Sequence, residues 1–404
     1  MIKVKNSLPI DDTFLSHMIY EGLLFIISIM PARAKLKLDE IELPDDAFEE
    51  AFNKLDSNKI ESISIVFTGN DNIDGFIRSL GLSGEAEKKT YRSLLRFLKE
   101  KAENIRSPEA IDLTPLIVHG KQSIDLLNEY KKPDLSAPSL MKIERYAGFT
   151  SIEDSYTTRS IRLRFSPDVW MISLLGVYSS FVTRARYAGG DKDNFYFLLF
   201  SPEEILNMFA REDSKYAYML MNVKNEIATK VLAETLRQTY MEEAIALEVS
   251  LNLEILKVLR EHEVNKLSLS LIKISPEGQT YKIYEYIPLT LSREAPLTNL
   301  LSTIFGENGV DKALKYLARA VDPRSYLLRA SSAKEAKNWP ERDYAVKAVL
   351  ALHRLVSLGD LSGLRDYARY LGLAVETLQS AGDRKSAMRR NYYEYLLRKM
   401  TSFC

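Results

Sequence analysis

The chain has almost no cysteine. Cys404 stands alone among 404 residues, so no intrachain disulfide and no cysteine-based zinc site can form. That absence points to a reducing compartment, and the expectation is a cytoplasmic protein. Histidine is equally sparse. His17, His119, His262 and His353 are scattered, and none has a partner at metal-ligand spacing. Glutamine occurs only at 122, 238, 279 and 379. Scarce Gln and Cys beside abundant Lys, Arg and Glu fit a thermophile's composition. There is no excess charge of either sign: 55 basic residues face 55 acidic ones. A stand-alone, non-specific DNA binder is usually strongly basic, so this balance counts against one but leaves room for local basic tracks. Long apolar runs are missing too. Leu23–Met30 is the most apolar stretch, and it is far short of the ~20 residues a membrane span needs. It reads as a buried core helix. The N-terminal Ile2-Lys3-Val4-Lys5 reads as a strand, and no secretory leader is expected.

Motifs of catalysis and cofactor binding are also missing. No Gly-rich loop ends in Gly-Lys-Ser/Thr, no dinucleotide fingerprint occurs, and no nucleophile elbow is present. Glu261-His262-Glu263 has the right residue types for a metal, but neighbours in a helix point ~100° apart and converge poorly. Asp191-Lys192-Asp193-Asn194 lacks the glycine and glutamate that complete a calcium loop. The expectation is therefore no cofactor, no metal site and no enzyme.

What is there is a well-packed globular composition, 46% hydrophobic, in a length that suits two or three domains. The pattern predicts an α+β protein. Residues 1–292 read as a mixed α/β domain and 293–404 as an all-helical bundle. In the first part, Asp12 is a candidate cap for a helix to about Met30. Alternation over 34–38 suggests an edge strand, Pro44-Asp45-Asp46 starts an acidic helix, and Ile63–Phe67 suggests a buried strand. Residues 84–106 read as one amphipathic helix. Ser107-Pro108-Glu109, Ser166-Pro167-Asp168 and Ser201-Pro202-Glu203-Glu204 share one helix-start logic: a capping hydroxyl, a proline that needs no donor, and an acid at the dipole. The last is expected to close a capping box through Glu204. Ile161–Phe165 reads as a strand, 166–186 as a helix and Phe195–Phe200 as a strand, with Gly189-Gly190-Asp191 turning between the last two. Helices over 202–212 and 220–262 follow, then a hairpin of Leu267–Ile274 and Thr280–Ile287. Beyond Pro288, helices are expected over 310–321, 324–330, 341–357, 361–380 and 385–400.

Three basic stretches stand out, and the first and third interleave with aromatics. The first joins Lys142, Arg145, Arg159, Arg162, Arg164, Arg184 and Arg186. Arg162 and Arg164 share one side of a strand, and a helix end beside it would add Arg184 and Arg186. Such guanidinium clusters suit phosphate oxygens. The second is Lys88, Arg92 and Arg96, with Lys99, on one face of the 84–106 helix. The third is the terminal helix, where Arg384, Lys385, Arg389, Arg390, Arg398 and Lys399 face only Asp383 and Glu394. Tyr392 and Tyr395 beside those cations suit stacking on single-stranded bases. Charged helix faces are ordinarily just solvated, and tyrosines at helical spacing ordinarily pack.

The block Ala137-Pro138-Ser139-Leu140-Met141-Lys142-Ile143-Glu144-Arg145-Tyr146-Ala147-Gly148 continues into Phe165–Trp170 and Leu174-Leu175-Gly176-Val177-Tyr178-Ser179-Ser180-Phe181. With a helical C-terminal part, this resembles the large subunit of archaeal type I-A CRISPR surveillance complexes (Cascade). The resemblance implies a non-catalytic subunit. It implies partners: crRNA, target double-stranded DNA, the backbone and small subunits, and a separate helicase-nuclease. In such complexes base pairing reads the sequence, while protein reads a short motif and holds displaced strand. The family's recognition loops differ from member to member, so the candidates rest on charge alone: Arg159, Arg162, Arg164, Arg184 and Arg186 for phosphate or motif contact. Lys88, Arg92 and Arg96 are candidates for backbone tracking, and Arg389, Arg390, Tyr392 and Lys399 for strand contact by the C-terminal domain. The alternatives are a protein scaffold without nucleic-acid contact, or a divergent nuclease using carboxylates such as Asp45-Asp46 or Glu203-Glu204, which helix capping and solvation explain more cheaply.

Overall fold

The computed structural model describes residues 1–5, 13–69, 71–83, 90–113, 116–118, 123–126, 135–146, 162–186, 193–233, 256, 258–278, 280–292, 296–322, 324–330, 336, 338–380 and 383–401. The protein is α+β and has two compact units. One is Met1–Asn225 with Ser268–Leu289; the other is Glu226–Leu267 with Thr290–Cys404. The helical unit thus takes in a segment from the middle of the chain as well as its C-terminal part.

The first unit starts with β1 (Ile2–Lys5), α1 (Phe14–Ile29), β2 (Lys35–Leu36), β3 (Glu40–Leu43), α2 (Ala47–Asn53), α3 (Ser57–Ser62), α4 (Ile73–Ser79) and α5 (Tyr91–Glu100). It continues with β4 (Ala110–Asp112), β5 (Leu116–Val118), β6 (Ser123–Leu126), β7 (Leu135–Ser136), β8 (Arg162–Phe165), α6 (Pro167–Ser180), β9 (Phe181–Arg186), β10 (Asp193–Phe200), α7 (Pro202–Ala210) and α8 (Ser214–Glu226). The hairpin of β11 (Lys266–Glu277) and β12 (Thr280–Ser292) closes it. Three four-stranded sheets result, ordered β2-β3-β1-β4, β5-β6-β8-β7 and β12-β11-β10-β9.

Its centre is the pair α1 and α6. Both helices are apolar nearly all round, which suits complete burial rather than a one-sided stripe. Glycine explains how closely they meet. A Cβ on Gly22 would collide with the Ile172 carbonyl oxygen, and one on Gly176 with the Met18 carbonyl oxygen. Each helix gives up ~1 kcal/mol of intrinsic helix preference at its glycine for that reciprocal contact. Thr13 rather than Asp12 caps α1, its hydroxyl accepting from the Ser16 N–H at 3.2 Å; Asp12 lies outside the described residues. Ser166 caps α6 through the Val169 N–H at 3.3 Å, with Pro167 in the first turn, as the sequence pattern predicts.

A buried ion pair ties α1 to α8. Lys224 Nζ bonds Glu21, both fully enclosed, and Glu21 Oε1 also accepts the Phe200 N–H at 2.8 Å. Burial pulls the Lys224 ammonium pKa down, and the Glu21 carboxylate opposes that. Beside them, part-buried Lys59 donates to the Ser179 carbonyl at 3.1 Å and lies 4.8 Å from the centre of the Tyr178 ring. Burial, with the charge of Lys224, brings its pKa down to about 7.

Several local expectations give way to tertiary partners. Ile63–Phe67 is not a strand. Val66 makes one isolated bridge to Thr90, and the Tyr281 hydroxyl takes the place of a strand neighbour, accepting the Val66 N–H at 3.2 Å and donating to its carbonyl at 2.5 Å. Ser107-Pro108-Glu109 starts no helix, because Ala110–Asp112 pairs parallel with β1 (Val4 opposite Ile111). The amphipathic helix is α5, capped by a Thr90–Ser93 box and followed by a 3-10 turn over Ala102–Asn104; residues 84–89 lie outside the described set. The helix from Ser166 stops at Ser180, and 181–186 is strand β9 against β10. The turn expected at Gly189-Gly190-Asp191 lies outside the described residues. Ser201 caps α7 as expected, but the Glu204 carboxylate accepts the Ser268 N–H of β11 at 3.0 Å. The α8 helix runs on into a π turn over Ile227–Leu232. The hairpin strands reach further than their apolar cores suggest.

In the second unit, helices Pro296–Phe305, Glu307–Ala320, Tyr326–Arg329, Arg342–Leu358, Leu361–Gln379 and Arg384–Thr401 enclose a core that includes Leu297, Leu314, Leu352, Tyr367, Leu371 and Tyr393. Gly359, at φ +65°, ends one helix in the left-handed region, and Asp360 caps the next through the Ser362 N–H at 2.9 Å. Gly363 lets those two helices close on each other, since a Cβ there would lie 2.5 Å from the Ala351 carbonyl oxygen. No helix of the described residues is long and apolar enough to cross a membrane.

Candidate nucleic-acid interface

The first basic track is divided by the fold. Arg162 and Arg164 lie on β8, in the sheet β5-β6-β8-β7, opposite Ser123 and Asp125 of β6. Arg184 and Arg186 lie on β9, the edge strand of a different sheet, opposite Phe195 and Asp193. The expected pairing of a strand with a helix end is not built, because 181–186 is extended. Arg184 Nη1 stands 3.6 Å from the Asp193 carboxylate. Lys142 donates to the Ser136 hydroxyl at 2.6 Å. Arg145 belongs to a 3-10 helix over Ser139–Tyr146, and Arg159 lies outside the described residues. The four arginines are therefore not one cluster on a strand and helix end.

The second track meets a carboxylate. On α5, Arg92 and Arg96 both reach Glu61 at the end of α3, Arg92 at 3.4 Å and Arg96 more closely. The Arg96 hydrogen bond and the two guanidinium charges hold the Glu61 carboxyl below its usual range. Lys99 donates to the Leu55 carbonyl and to the Ser57 hydroxyl. Lys88 lies outside the described residues.

The third track is rearranged by packing. Arg389 is 6% exposed. Its Nε bonds the fully buried Glu341 at 2.5 Å, and its guanidinium stands 4.6 Å from the centre of the Trp339 ring. It is an internal ion-pair residue and not a surface contact. Tyr392 also turns inward. Its hydroxyl donates to the Ala320 carbonyl at 3.2 Å, and its ring packs edge-on against Tyr326 and Tyr393. Burial pushes its phenol pKa up. It is therefore not a stacking platform. Arg390 pairs with Glu394 at 3.6 Å. Lys399 is exposed.

What the terminal helix presents instead is a continuous outer stripe. Its packing side carries Ser386, Arg389, Tyr393 and Leu396, all buried. At ~100° per residue, the opposite side carries Arg384, Met388, Asn391, Tyr395, Arg398 and Lys399, every one exposed. They fall within an arc of about 100° that contains no carboxylate. Asp383 and Glu394 stand to one side. Asp383 is spent on the Ser386 and Lys385 N–H groups at 3.0 and 2.9 Å, and Glu394 reaches Arg390 and Arg398, each at 3.6 Å. From Arg384 to Arg398 the stripe runs about 21 Å at 1.5 Å per residue. Cations at both ends, with Met388 and Tyr395 between, offer charge for a phosphate backbone and an apolar surface for bases. The signal was in the sequence: the wheel position opposite Tyr393, Leu396 and Met400 selects these residues, whereas residue type alone favours Arg389 and Tyr392.

No family model matches this sequence, and no solved structure matches it. An uncharacterized protein of Archaeoglobus fulgidus is 33% identical over 403 residues, a span of 99% of this chain and 100% of that protein. Likeness sustained from end to end carries both units together, and the chain belongs to the same family as this archaeal protein.

Proposed function

We propose that the chain is the non-catalytic large subunit of a type I-A CRISPR RNA-guided DNA surveillance complex. In that role it contributes to recognition of the protospacer-adjacent motif, steadies the displaced strand and helps recruit the helicase-nuclease. The observation that carries the reading is the acid-free stripe Arg384-Met388-Asn391-Tyr395-Arg398-Lys399 on the outside of the helical unit. A chain of zero formal charge that keeps a clear cationic stripe suits a subunit that meets nucleic acid inside a larger assembly. The residues that carry the resemblance have a structural place of their own. Phe165–Trp170 and Leu174–Phe181 span the end of β8, α6 and the start of β9, where nearly every side chain is buried. These two stretches of the resemblance lie in the core, and the contact surface is argued separately from charge and exposure.

The test is recovery of the tagged full chain from an archaeal cell that carries a CRISPR array. The reading predicts that crRNA and the backbone subunits come with it. Recovery of the chain free of RNA and of those subunits overturns it. A second reading, a scaffold without nucleic-acid contact, has its own support: Arg92, Arg96, Arg184, Arg389, Arg390 and Arg398 each meet a carboxylate of this chain. A scaffold shows no salt-dependent DNA binding even with its partner subunits present.

A further inference from the structure

A cleft of about 370 Å³ opens in the first unit. One wall is Asn53 at the end of α2 with Ser57, Ile60 and Glu61 of α3; the other is Arg96, Lys99 and Glu100 of α5. Arg92, Arg96 and Lys99 fall within about 60° on one face of α5 at ~100° per residue. Three cations thus line up toward α3. Glu61 answers two of them, and the chain's own carboxylate bridges Arg92 and Arg96 much as an anionic ligand would. The arrangement is not a buried structural pair. Glu61 and Arg96 are 47% and 52% exposed, and ion pairs so open to water stabilise a fold little and exchange readily. The Arg92 Nε, by contrast, is buried and has no hydrogen-bond partner among the described residues. The Arg96 guanidinium, the Lys99 ammonium, the Asn53 amide and the Ser57 hydroxyl line the cleft, with Arg92 beside it on the same face of α5, and these carry more N–H and O–H groups than one carboxylate uses.

We infer that this cleft binds a phosphate monoester, and that Glu61 is an internal stand-in that the phosphate displaces from Arg92 and Arg96. A phosphate offers three acceptor oxygens and more charge than a carboxylate, so it engages both forks with Lys99 alongside. Ile60, itself buried, closes the floor of the cleft. Glu100, on the α5 wall, accepts from hydroxyl groups and repels a second phosphate. The volume lies near the lower end of ligand sites, roughly 300–1,000 Å³, which suits one nucleotide unit. Free mononucleotide and the 5′-phosphorylated end of a strand share this chemistry. The inference stands on the cleft alone and does not depend on assembly into a CRISPR complex.

Calorimetric titration of the full chain and of Glu61→Gln tests it, with adenosine 5′-monophosphate, a 5′-phosphorylated decanucleotide and its unphosphorylated twin as probes. Removing the competing charge is expected to tighten binding of a phosphorylated probe roughly tenfold. Adding Arg96→Ala in the Glu61→Gln background is expected to abolish that gain, with the thermal midpoint unchanged. A gain for the mononucleotide points to a free small molecule, and a gain confined to the phosphorylated strand points to a strand end; both uphold the site. Unchanged affinity for every phosphorylated probe in Glu61→Gln overturns it, and so does an equal gain for the unphosphorylated twin.

Discussion

The basic faces of α5 and of the terminal helix look alike in the sequence and differ in the folded protein. On α5 the cations point at a neighbouring helix, and Glu61 answers them. On the terminal helix one arginine, Arg389, is drawn inside by Glu341 and Trp339. A different set, from Arg384 to Lys399, faces water, with Glu394 reaching Arg398 from one side. A run of cations therefore says little until the next element is known. The same charge serves as a core pair, a masked pair or an open contact according to what lies across from it.

The largest expected effect comes from breaking the internal pair. Glu341→Ala leaves Arg389 buried without its carboxylate, and unfolding of the second unit should become easier by about 3–5 kcal/mol, read by denaturant titration. Arg398→Ala, on the open side of the same helix, should change stability by no more than ~0.5 kcal/mol. Equal losses for the two would erase the distinction between core and surface cations.

Lys59 supplies an intermediate case, a cation that is part-buried. Its folded pKa, about 7, lies below its ordinary value of 10.5. Below pH 7 both folded and unfolded chains hold the proton, and the folded state carries the full cost of burying the charge. As pH rises from 7 toward 10.5 the unfolded chain holds more protons, so stability should rise with pH in that window. Lys59→Met should flatten the rise. A slope that survives the substitution would show that another group causes it.

A small effect, comparable to that at Arg398, is expected at the masked pair. Arg96→Ala should cost the fold ~0–1 kcal/mol, because its ion pair is exposed, and thermal denaturation measures it. A loss of several kcal/mol would make Glu61 and Arg96 a structural pair rather than a masked site.

How much of this could be read in advance depended on range. Features set by neighbours in sequence were legible: Ser166-Pro167 starting α6, Gly359-Asp360 between two helices, the hairpin closed near Gly278, and the change to helices after Pro288. Features set by distant partners were not. Phe181–Arg186 has helix-compatible residues, but β10 offered it a strand to pair with. Ala110–Asp112 follows a good helix start, yet β1 took it as a strand. The candidate site suffered most, because pairing decides whether an arginine is available. Glu61 lies 31 and 35 residues from Arg92 and Arg96, and Glu341 lies 48 from Arg389, and no local pattern announces them. Tyr392 was attractive as an aromatic beside cations, and only the wheel position separates it from Tyr395, which is 41% exposed.

The most direct measurement is the salt dependence of single-stranded DNA binding by the full chain, followed by fluorescence anisotropy. Wild type is compared with the Arg384→Ala, Arg398→Ala, Lys399→Ala triple variant. Each lost phosphate contact should make the slope of log affinity against log salt less negative by ~0.7, so about 2 in all, with the fold intact. Identical slopes for the two proteins would contradict the assignment of the outer stripe as the contact surface.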